Sequence, residues 1–390
     1  MMHMAMLAPA ETASATVPTT AAAATRTVAT AEAATTSATR AVTSVKTRTA
    51  AVGWTARTTT GSGAESTAGR DVPALMLSGV GKRYPKFQLK DVSFTLPRGY
   101  IMGFIGPNGA GKSTTIKIIM NMVRKSTGAV KVLGLDHVAF ETEVKRHIGY
   151  LGEEPHFYEE VTPAWLGGFV GKYYPTWDAR LYKATLERFG IEQSKRVKTL
   201  SKGMKVKLGL ALALSHRPEL LILDEPTSGL DPVIRHDVLA ELMSVIQDER
   251  RSVFFSTHIT QDVEKVADYV TFINDGRVVI SDVKDDVLAR WKRVSFPLPL
   301  RPEARGSSDR AGLEAGVAEA RAKVEQAMRG ALGRAFAAHK IEGLTFTGIT
   351  CAYSEDVARE VGHLAGTRPR VLPVSLDDIL VAIVRGSEAC

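Results

Sequence analysis

Apolar and polar positions alternate along the first patterned part of the chain. ALMLSGVGKRY (74–84) and LKDVSFTLPRG (89–99) have the pattern of strands separated by a turn, and YIMGFIG (100–106) has that of a buried strand. A long helical pattern from Lys112 comes next. The order predicts an antiparallel pair of strands at the start of the fold, followed by a buried strand and a helix.

Further along, apolar runs of strand length alternate with helical patterns. Helical patterns begin at Ser201, at about Val233 and at Thr260. Such alternation predicts an α/β fold with a mainly parallel sheet, entered here through an antiparallel β edge. The later strand-like runs are ELLILD (219–224), SVFFST (252–257), YVTFIND (269–275) and GRVVIS (276–281).

Composition divides the chain into three regions. Residues 1–73, rich in Ala, Thr and Ser, are predicted to be a disordered extension, with an over-long start site and an organelle transit peptide as alternatives for their role. Residues 74–295 carry the α/β pattern, and residues 154–217 within them are predicted to form a helical subdomain. The sequence pattern changes again before residues 296–390, which are predicted to form a small α+β appendage.

The overall composition is that of an ordinary globular protein, with 44% hydrophobic and 24% charged residues. A formal net charge of +8 suits nucleic acid, an anionic membrane surface or nucleotide phosphates, and does not separate them. No run of 18 or more apolar residues occurs, so a membrane function would need another chain to span the bilayer. The two cysteines, Cys351 and Cys390, do not have the spacing of a metal site.

The stretch GPNGAGKST (106–114) carries the most specific chemical signal. It matches the phosphate-loop pattern G-x-x-x-x-G-K-[ST] directly after a predicted strand and at the start of a predicted helix. Its glycines let backbone N–H groups curl around phosphate oxygens without Cβ clashes. Lys112 supplies a cation for the β and γ phosphates, and Ser113 offers a hydroxyl to Mg²⁺. The sequence therefore predicts that this protein binds a nucleoside triphosphate.

Two later strands end in polar side chains suited to the same chemistry. Asp224 closes the apolar run of LLILDEP and is placed to reach the magnesium ligands, and Glu225, directly after it, could polarise an attacking water. His258 follows SVFFST and is interpreted as a contact to the γ phosphate, against the alternative of a structural histidine. The carboxylates alone are a moderate signal, and with the phosphate loop they become a strong one.

LSKGM (200–204) lies at the start of a predicted helix whose later residues are almost all apolar. Ser201 is a good N-cap, which a buried helix would explain. Lys202 and Gly203, which has no side chain, lie in the first turn of this helix, where the free backbone N–H groups favour an anion. We therefore expect LSKGM to face a phosphate.

These motifs, in this order, resemble the ATP-binding subunit of ABC transporters, over about residues 74–290. The resemblance implies a phosphate-loop NTPase fold, ATP hydrolysis, Mg²⁺, a separate membrane permease, and a peripheral position on the cytoplasmic face of the membrane. It implies Tyr84 as the aromatic that stacks on adenine, with ordinary strand packing as the alternative, and Asp231 within an SGLD loop (228–231). The nucleotide contacts it implies in the phosphate loop are Gly106, Pro107, Asn108, Gly109, Ala110, Gly111, Lys112, Ser113 and Thr114.

In that family two ATP-binding domains meet head to tail. The resemblance thus implies that Ser201, Lys202 and Gly203 contact the γ phosphate held by a second subunit, in a homodimer or heterodimer. Two departures from the common family pattern occur: LSKGM replaces Leu-Ser-Gly-Gly-Gln, and Glu153 stands where a glutamine usually contacts magnesium and the attacking water. Glu153 is therefore a predicted catalytic and metal-contacting residue, beside the metal contacts Ser113 and Asp224.

Within the family, the chain resembles the ABC-2-type branch of bacterial exporters, including those linked to antimicrobial-peptide resistance, in LSKGM, YPTWD (174–178) and FFSTHITQDVEKVADY (254–269). The closing VSLDDILVAIVRG (374–386) also resembles the end of such ATPases. An ATPase that powers export by a separate permease is the favoured function, with no nucleic-acid partner expected. The rival from another class is a nucleic-acid-associated ATPase of the same superfamily. Neither a second ATP-binding domain nor the long heptad arms of such proteins is present. A regulatory subunit with a decayed site is opposed by the intact Lys112, Asp224, Glu225 and His258.

Overall fold

The computed structural model describes residues 72–301 and 310–386. Most of the predicted extension, residues 302–309 and residues 387–390 therefore lie outside the described residues. The strands are β1 (Leu75–Arg83), β2 (Gln88–Leu96), β3 (Ile101–Ile105), β4 (Thr127–Val132), β5 (Leu135–Asp136), β6 (Ile148–Leu151), β7 (Leu220–Asp224), β8 (Ser252–Thr257), β9 (Tyr269–Asn274), β10 (Arg277–Val283), β11 (Lys292–Pro297), β12 (Phe336–Glu342), β13 (Thr345–Thr350) and β14 (Arg370–Pro373).

Six of the described helices begin after an N-cap side chain that accepts a hydrogen bond from the first turn. Asp231 accepts hydrogen bonds from the N–H groups of Val233 and Ile234 at one start, and Ser375 forms a capping box with Asp378 at another. The helices are α1 (Lys112–Ile119), α2 (Glu141–Arg146), α3 (Pro163–Val170), α4 (Ala179–Arg188), α5 (Lys202–Leu214), α6 (Pro232–Val245), α7 (Thr260–Val266), α8 (Lys284–Arg290), α9 (Arg310–Arg329), α10 (Glu355–Ala365) and α11 (Leu376–Arg385).

A six-stranded sheet in the order β10-β9-β3-β8-β7-β6 forms the centre of the fold. Its neighbouring strands are parallel except for the edge pair β9 and β10. Strands β3, β7 and β8 are buried along their whole length, because helices or a second sheet cover both faces. The predicted mainly parallel sheet is confirmed.

The first two strands are antiparallel to each other, as predicted, but they belong to a separate sheet in the order β2-β1-β4-β5. The aromatic rings of Phe94, Phe104 and Phe254 pack together between this sheet and the central one, with Phe94 stacked on Phe254. The long helix predicted from Lys112 was wrong in its length, since α1 has only eight residues. The segment after α1, residues 120–126, leads instead into β4, which pairs with β1.

Helices α3, α4 and α5 occupy the range predicted to be helical, together with short 3-10 turns at Gly171–Tyr173 and Val197–Thr199. Helix α5 is buried along most of its length against these helices and the central sheet. The chain between 154 and 162 is irregular.

A third sheet, in the order β12-β13-β11-β14, is antiparallel throughout. One of its faces packs against α9 and α10 around Phe296 and Phe346. Its strand β11 begins at Lys292, so the boundary expected at residue 296 falls inside a strand. Helix α11 returns to the central domain, where Leu376 and Ile379 join the main core.

None of the helices in residues 72–301 and 310–386 is long and apolar enough to cross a bilayer.

Candidate nucleotide-binding site

The central sheet brings three functional loops to one edge. The loop after β3 leads into α1, Glu225 follows β7, and His258 follows β8. Because β3, β8 and β7 are adjacent and parallel, their carboxyl ends lie side by side, where α/β sheets bind their ligands.

Close packing fixes the shape of the phosphate loop. A Cβ atom on Gly106 would lie 2.4 Å from the carbonyl oxygen of Ile273, so only glycine fits there. Gly111 has φ +112° and precedes α1, and a Cβ on it would lie 2.5 Å from Leu89. Gly109 has φ +82° with nothing within 4 Å of the Cβ position, which leaves open space on that side of the loop. The backbone therefore forms the kind of cradle that a phosphate group occupies.

Lys112 folds back over the loop. Its Nζ atom donates hydrogen bonds to the carbonyl oxygens of Gly106 at 2.8 Å and of Pro107 at 3.3 Å, and lies 3.1 Å from Oε1 of Glu225. Only 6% of the Lys112 side chain is exposed. A buried cation beside the phosphate loop is suited to bind phosphate oxygens.

Asp224 lies at the end of β7 beside the first turn of α1. Its Oδ1 atom accepts hydrogen bonds from Ser256 Oγ at 2.6 Å and from Ser113 Oγ at 3.2 Å. Burial raises the pKa of this carboxyl, and the two hydroxyl hydrogen bonds act in the opposite direction. The carboxylate thus has oxygens available next to the hydroxyl of the phosphate-loop serine.

Glu225 links two predicted functional residues. Its Oε1 atom faces Lys112, and its Oε2 atom lies 2.8 Å from Nδ1 of His258. The backbone of Glu225 has φ +50°, a conformation that non-glycine residues adopt rarely and that is concentrated at functional sites. Hydrogen bonds from its N–H to Ser256 hold it there.

A buried ion pair holds the loop that follows Glu225. Asp262 on α7 is fully buried, accepts a hydrogen bond from Thr227 Oγ1 at 2.6 Å, and pairs with Nε of Arg235 on α6 at 2.6 Å. Since α7 begins just after His258, this contact connects the loops that follow β7 and β8. Sequence reasoning missed Ser256, Thr227 and Asp262, because their roles depend on strand neighbours that no local pattern specifies.

The LSKGM segment caps α5 as predicted, with Ser201 Oγ accepting a hydrogen bond from the N–H of Met204 at 3.3 Å. Gly203 has a second role in the same chain: a Cβ there would lie 2.5 Å from Cδ1 of Ile234 on α6. Lys202 points toward Gly229 of the SGLD loop, since its Nζ lies 3.0 Å from the position of a Cβ on that glycine. The absence of a side chain at Gly203 thus allows α5 and α6 to pack closely.

Several predicted site residues lie apart from the cluster formed by Lys112, Glu225 and His258. Within residues 72–301 and 310–386, no hydrogen bond or ion pair joins Tyr84, Glu153, Ser201 or Asp231 to that cluster. Tyr84 is 38% exposed in the turn between β1 and β2, and the ammonium of Lys82 lies over its ring, 5.4 Å from the ring centre. Glu153 is exposed two residues after β6, which pairs with β7 in parallel register.

The oxygen groups of Ser113 and Asp224 fit a magnesium ion, which prefers carboxylate, hydroxyl, water and phosphate oxygens. In the described part of the chain, no group of three His, Cys, Asp or Glu side chains could hold a metal ion. The donor set therefore fits an ion that completes its coordination with substrate phosphates and water.

The fold and the loop around Lys112 define a phosphate-loop nucleotide-binding protein. Residues 89–228 match the family model described as ABC transporter. The ABC transporter ATP-binding protein NatA of Bacillus subtilis is 35% identical over 198 residues, which cover 49% of this chain and 80% of NatA. The uncharacterized ABC transporter ATP-binding protein YdbJ of the same organism is 36% identical over 211 residues, covering 53% of this chain and 68% of YdbJ.

The bacitracin transport ATP-binding protein BcrA of Bacillus licheniformis is 34% identical over 204 residues, covering 52% of this chain and 66% of BcrA. A solved structure of an ATP-binding subunit of an ABC transporter superposes with a TM-score of 0.50 at 29% identity, covering 55% of this chain and 92% of that one. This chain belongs to the ABC transporter ATP-binding proteins. It is an ATPase of that family, in which ATP hydrolysis is characteristic and the ATP-binding subunits work with a membrane permease component.

Proposed function

We propose that this protein binds ATP with Mg²⁺ and hydrolyses it to drive export by a separate permease, as an ABC-2-type ATPase. The convergence of Lys112, Glu225 and His258 at the carboxyl edge of three adjacent strands carries the proposal. The similarity to BcrA, whose name states bacitracin transport, supports a transport role. The transported compound is not inferred, because the permease would hold that specificity.

In this proposal each side chain has a distinct role. The amides of residues 106–114 and the ammonium of Lys112 bind the β and γ phosphates. Glu225 accepts a proton from the attacking water, and His258, which is hydrogen-bonded to Glu225, orients that carboxylate and contacts the γ phosphate. Tyr84, which is 38% exposed, stacks on the adenine ring.

Ser113, Asp224 and Glu153 are the residues proposed to hold Mg²⁺. When bound, the ion would neutralise charge on the phosphates and stabilise the transition state of phosphoryl transfer. Asp224 is held ready by Ser256, and its buried position next to Ser113 supports this assignment. For Glu153 the support is its place after β6, the strand next to β7.

We also propose that two ATP-binding subunits pair head to tail. The N-cap Ser201, Lys202 and Gly203 would contact the γ phosphate bound by the partner, and Asp231 would lie at the same interface. The exposure of Ser201 and Lys202 at the start of α5 supports this role, since the first N–H groups of a helix attract anions. The assembly would lie on the cytoplasmic face of the membrane, attached through the permease.

Purification of the tagged full chain from membranes of its own organism tests the transport role. We expect a protein with several membrane spans to co-purify in stoichiometric amount, and ATP hydrolysis by the pair to depend on both chains in lipid vesicles. Active ATPase without a membrane partner, and binding to ribosomes or DNA instead, would contradict the transport role and favour the nucleic-acid-associated alternative.

A further inference from the structure

A cavity of about 1030 Å³ lies on the C-terminal sheet. All of its lining residues belong to the segment from Arg293 to Gly386, and none comes from the phosphate loop or from the loops after β7 and β8. Its size is at the upper end of the range for small-molecule sites. No part of the ATPase chemistry accounts for it.

The register of the sheet places four polar side chains in one row across the floor of this cavity. Thr347 on β13 is paired with Lys340 on one side and with Ser295 on the other, and Ser295 is paired with Arg370 on β14. With a spacing of about 4.8 Å between strands, the row spans roughly 14 Å. Two hydroxyl groups therefore lie between two cations.

The opposite face of the same sheet is apolar. Val294, Phe296 and Phe346 alternate with the residues of the row and are buried against α9 and α10. The row consequently faces away from the C-terminal core, and α11 borders it through Asp378, Val381 and Arg385.

Positive charge dominates the lining. Its two carboxylates, Glu342 and Asp378, are already paired with Lys340 and Arg293. Four further arginines make no ion pair with any described residue. They are Arg329, Arg334, Arg370 and Arg385.

The arginines on the outer faces of the nearby helices behave differently. Arg310 and Arg321 on α9 pair with glutamates one helical turn away, and Arg359 on α10 pairs with Asp356. In residues 293–301 and 310–386, four of the five arginines that make no ion pair with a described residue line the cavity, and Arg368 is the fifth. Like charges at the cavity repel one another unless an anion lies between them.

We infer that this cavity binds a small anionic ligand that carries two or more phosphate groups. Guanidinium groups bind phosphate oxygens with paired hydrogen bonds, which favours phosphate over a diffuse negative charge. The hydroxyls of Ser295 and Thr347 supply donors at the centre, and Ile349 and Leu372 give a neighbouring apolar surface for the rest of the ligand. The ligand comes either from a soluble phosphorylated compound or from the headgroup of an anionic lipid.

The test uses calorimetric titration of the full chain carrying Lys112→Ala, which removes the lysine of the phosphate loop. Inositol hexakisphosphate is the soluble probe, and vesicles of phosphatidylglycerol and phosphatidylcholine in equal amounts are the lipid probe in a flotation assay. Arg334→Ala with Arg385→Ala removes two cavity arginines. Arg321→Ala with Arg359→Ala is the matched control, because it removes the same charge from outside the cavity.

We expect saturable binding of at least one probe, with a dissociation constant about tenfold or more higher in the cavity variant. The control variant should change it by only about twofold, since its arginines contribute screened long-range attraction alone. Binding of the soluble probe assigns a dissolved ligand, and binding confined to vesicles assigns a lipid headgroup. Equal losses in the two variants, or no saturable binding of either probe, would overturn the inference. A circular dichroism spectrum and melting temperature unchanged in the cavity variant exclude misfolding as the cause of a loss.

Discussion

The ammonium of Lys112 lies 3.1 Å from a carboxylate oxygen of Glu225, and both side chains are almost fully buried. The other oxygen of this carboxylate, Oε2, lies 2.8 Å from Nδ1 of His258. The residue proposed to bind phosphate and the residue proposed as the general base are therefore ion-paired partners. A bound triphosphate would compete with Glu225 for Lys112.

This competition predicts the effect of Glu225→Gln on ATP binding. A neutral amide holds the ammonium less strongly than a carboxylate does, so ATP should bind at least as tightly to the variant as to the wild type. Calorimetric titration in the presence of Mg²⁺ measures the dissociation constants. Glu249→Gln, a change in an exposed loop, is the control for loss of one negative charge. Affinity weakened about tenfold or more in Glu225→Gln alone would contradict the competition.

Ser201 has two proposed roles, as the N-cap of α5 and as a contact to a partner subunit, and two substitutions distinguish them. Ser201→Ala removes the acceptor for the Met204 N–H and should lower the free energy of unfolding by about 1 kcal/mol. Ser201→Asp keeps a good capping oxygen and should retain stability, but it places a carboxylate where the partner's phosphate is proposed to lie.

The second variant therefore tests the head-to-tail arrangement. In a Glu225→Gln background, ATP should drive dimerisation, measured by light scattering after gel filtration, and adding Ser201→Asp should abolish it. A dimer that forms to the same extent with and without Ser201→Asp would place Ser201 outside the interface. Urea unfolding of Ser201→Asp shows whether the cap is retained.

The burial of His216 predicts that the folded protein loses stability in mild acid. Burial lowers the pKa of this imidazole to about 4, whereas the unfolded chain has a histidine pKa of about 6.5. Between these values the unfolded chain binds a proton that the folded chain does not, so stability is present above pH ~6.5 and declines as the pH falls below it. Changing from about pH 7.5 to about pH 5.5 should cost about 1.4 kcal/mol through this residue.

Urea unfolding at the two pH values measures this contribution. His216→Gln should lower stability at both, but its difference between the two pH values should be smaller than that of the wild type by about the stated amount. His137, whose pKa is also lowered by burial, remains in both proteins and cancels in the comparison. His363→Gln, a change at an exposed position of α10, should leave the difference as it is. Equal pH dependence in wild type and His216→Gln would contradict the assignment.

If Glu153 lies near the triphosphate, ATP binding and hydrolysis should depend more strongly on Mg²⁺ than they would with a glutamine at this position. Two negative charges about 4 Å apart repel by about 4 kcal/mol at an effective dielectric constant of about 20, so a carboxylate near the triphosphate becomes favourable only with a cation between them. Glu153→Gln should bind metal-free ATP more tightly and shift hydrolysis toward lower dependence on Mg²⁺. Titration of Mg²⁺ at fixed ATP, with Glu154→Gln as the neighbouring variant, measures the shift. Superimposable curves for wild type and Glu153→Gln would remove Glu153 from the site, and a shift confined to Glu154→Gln would transfer the role to that residue.

The sequence predicted five of the six strands of the central sheet and the order of its motifs, because burial and strand propensity are local properties, but it did not predict β6 (Ile148–Leu151). It did not predict that β1 and β2 form a sheet of their own with β4, because that pairing joins residues far apart in the chain, such as Met76 and Lys131. The same limit applies to the site. The motif residues Lys112 and Glu225 were identified, but their ion pair, and the support of Glu225 by Ser256, depend on the order β3-β8-β7.

The most direct test of the account is steady-state ATP hydrolysis by purified wild type and Glu225→Gln, each at saturating ATP and Mg²⁺, with Glu249→Gln as the control. Loss of a positioned general base costs about 10²–10⁴-fold, so phosphate release by Glu225→Gln should fall by that factor while Glu249→Gln stays near the wild-type rate. Turnover by Glu225→Gln within a few-fold of wild type would contradict Glu225 as the base and, with it, the catalytic role proposed for the Lys112, Glu225 and His258 cluster.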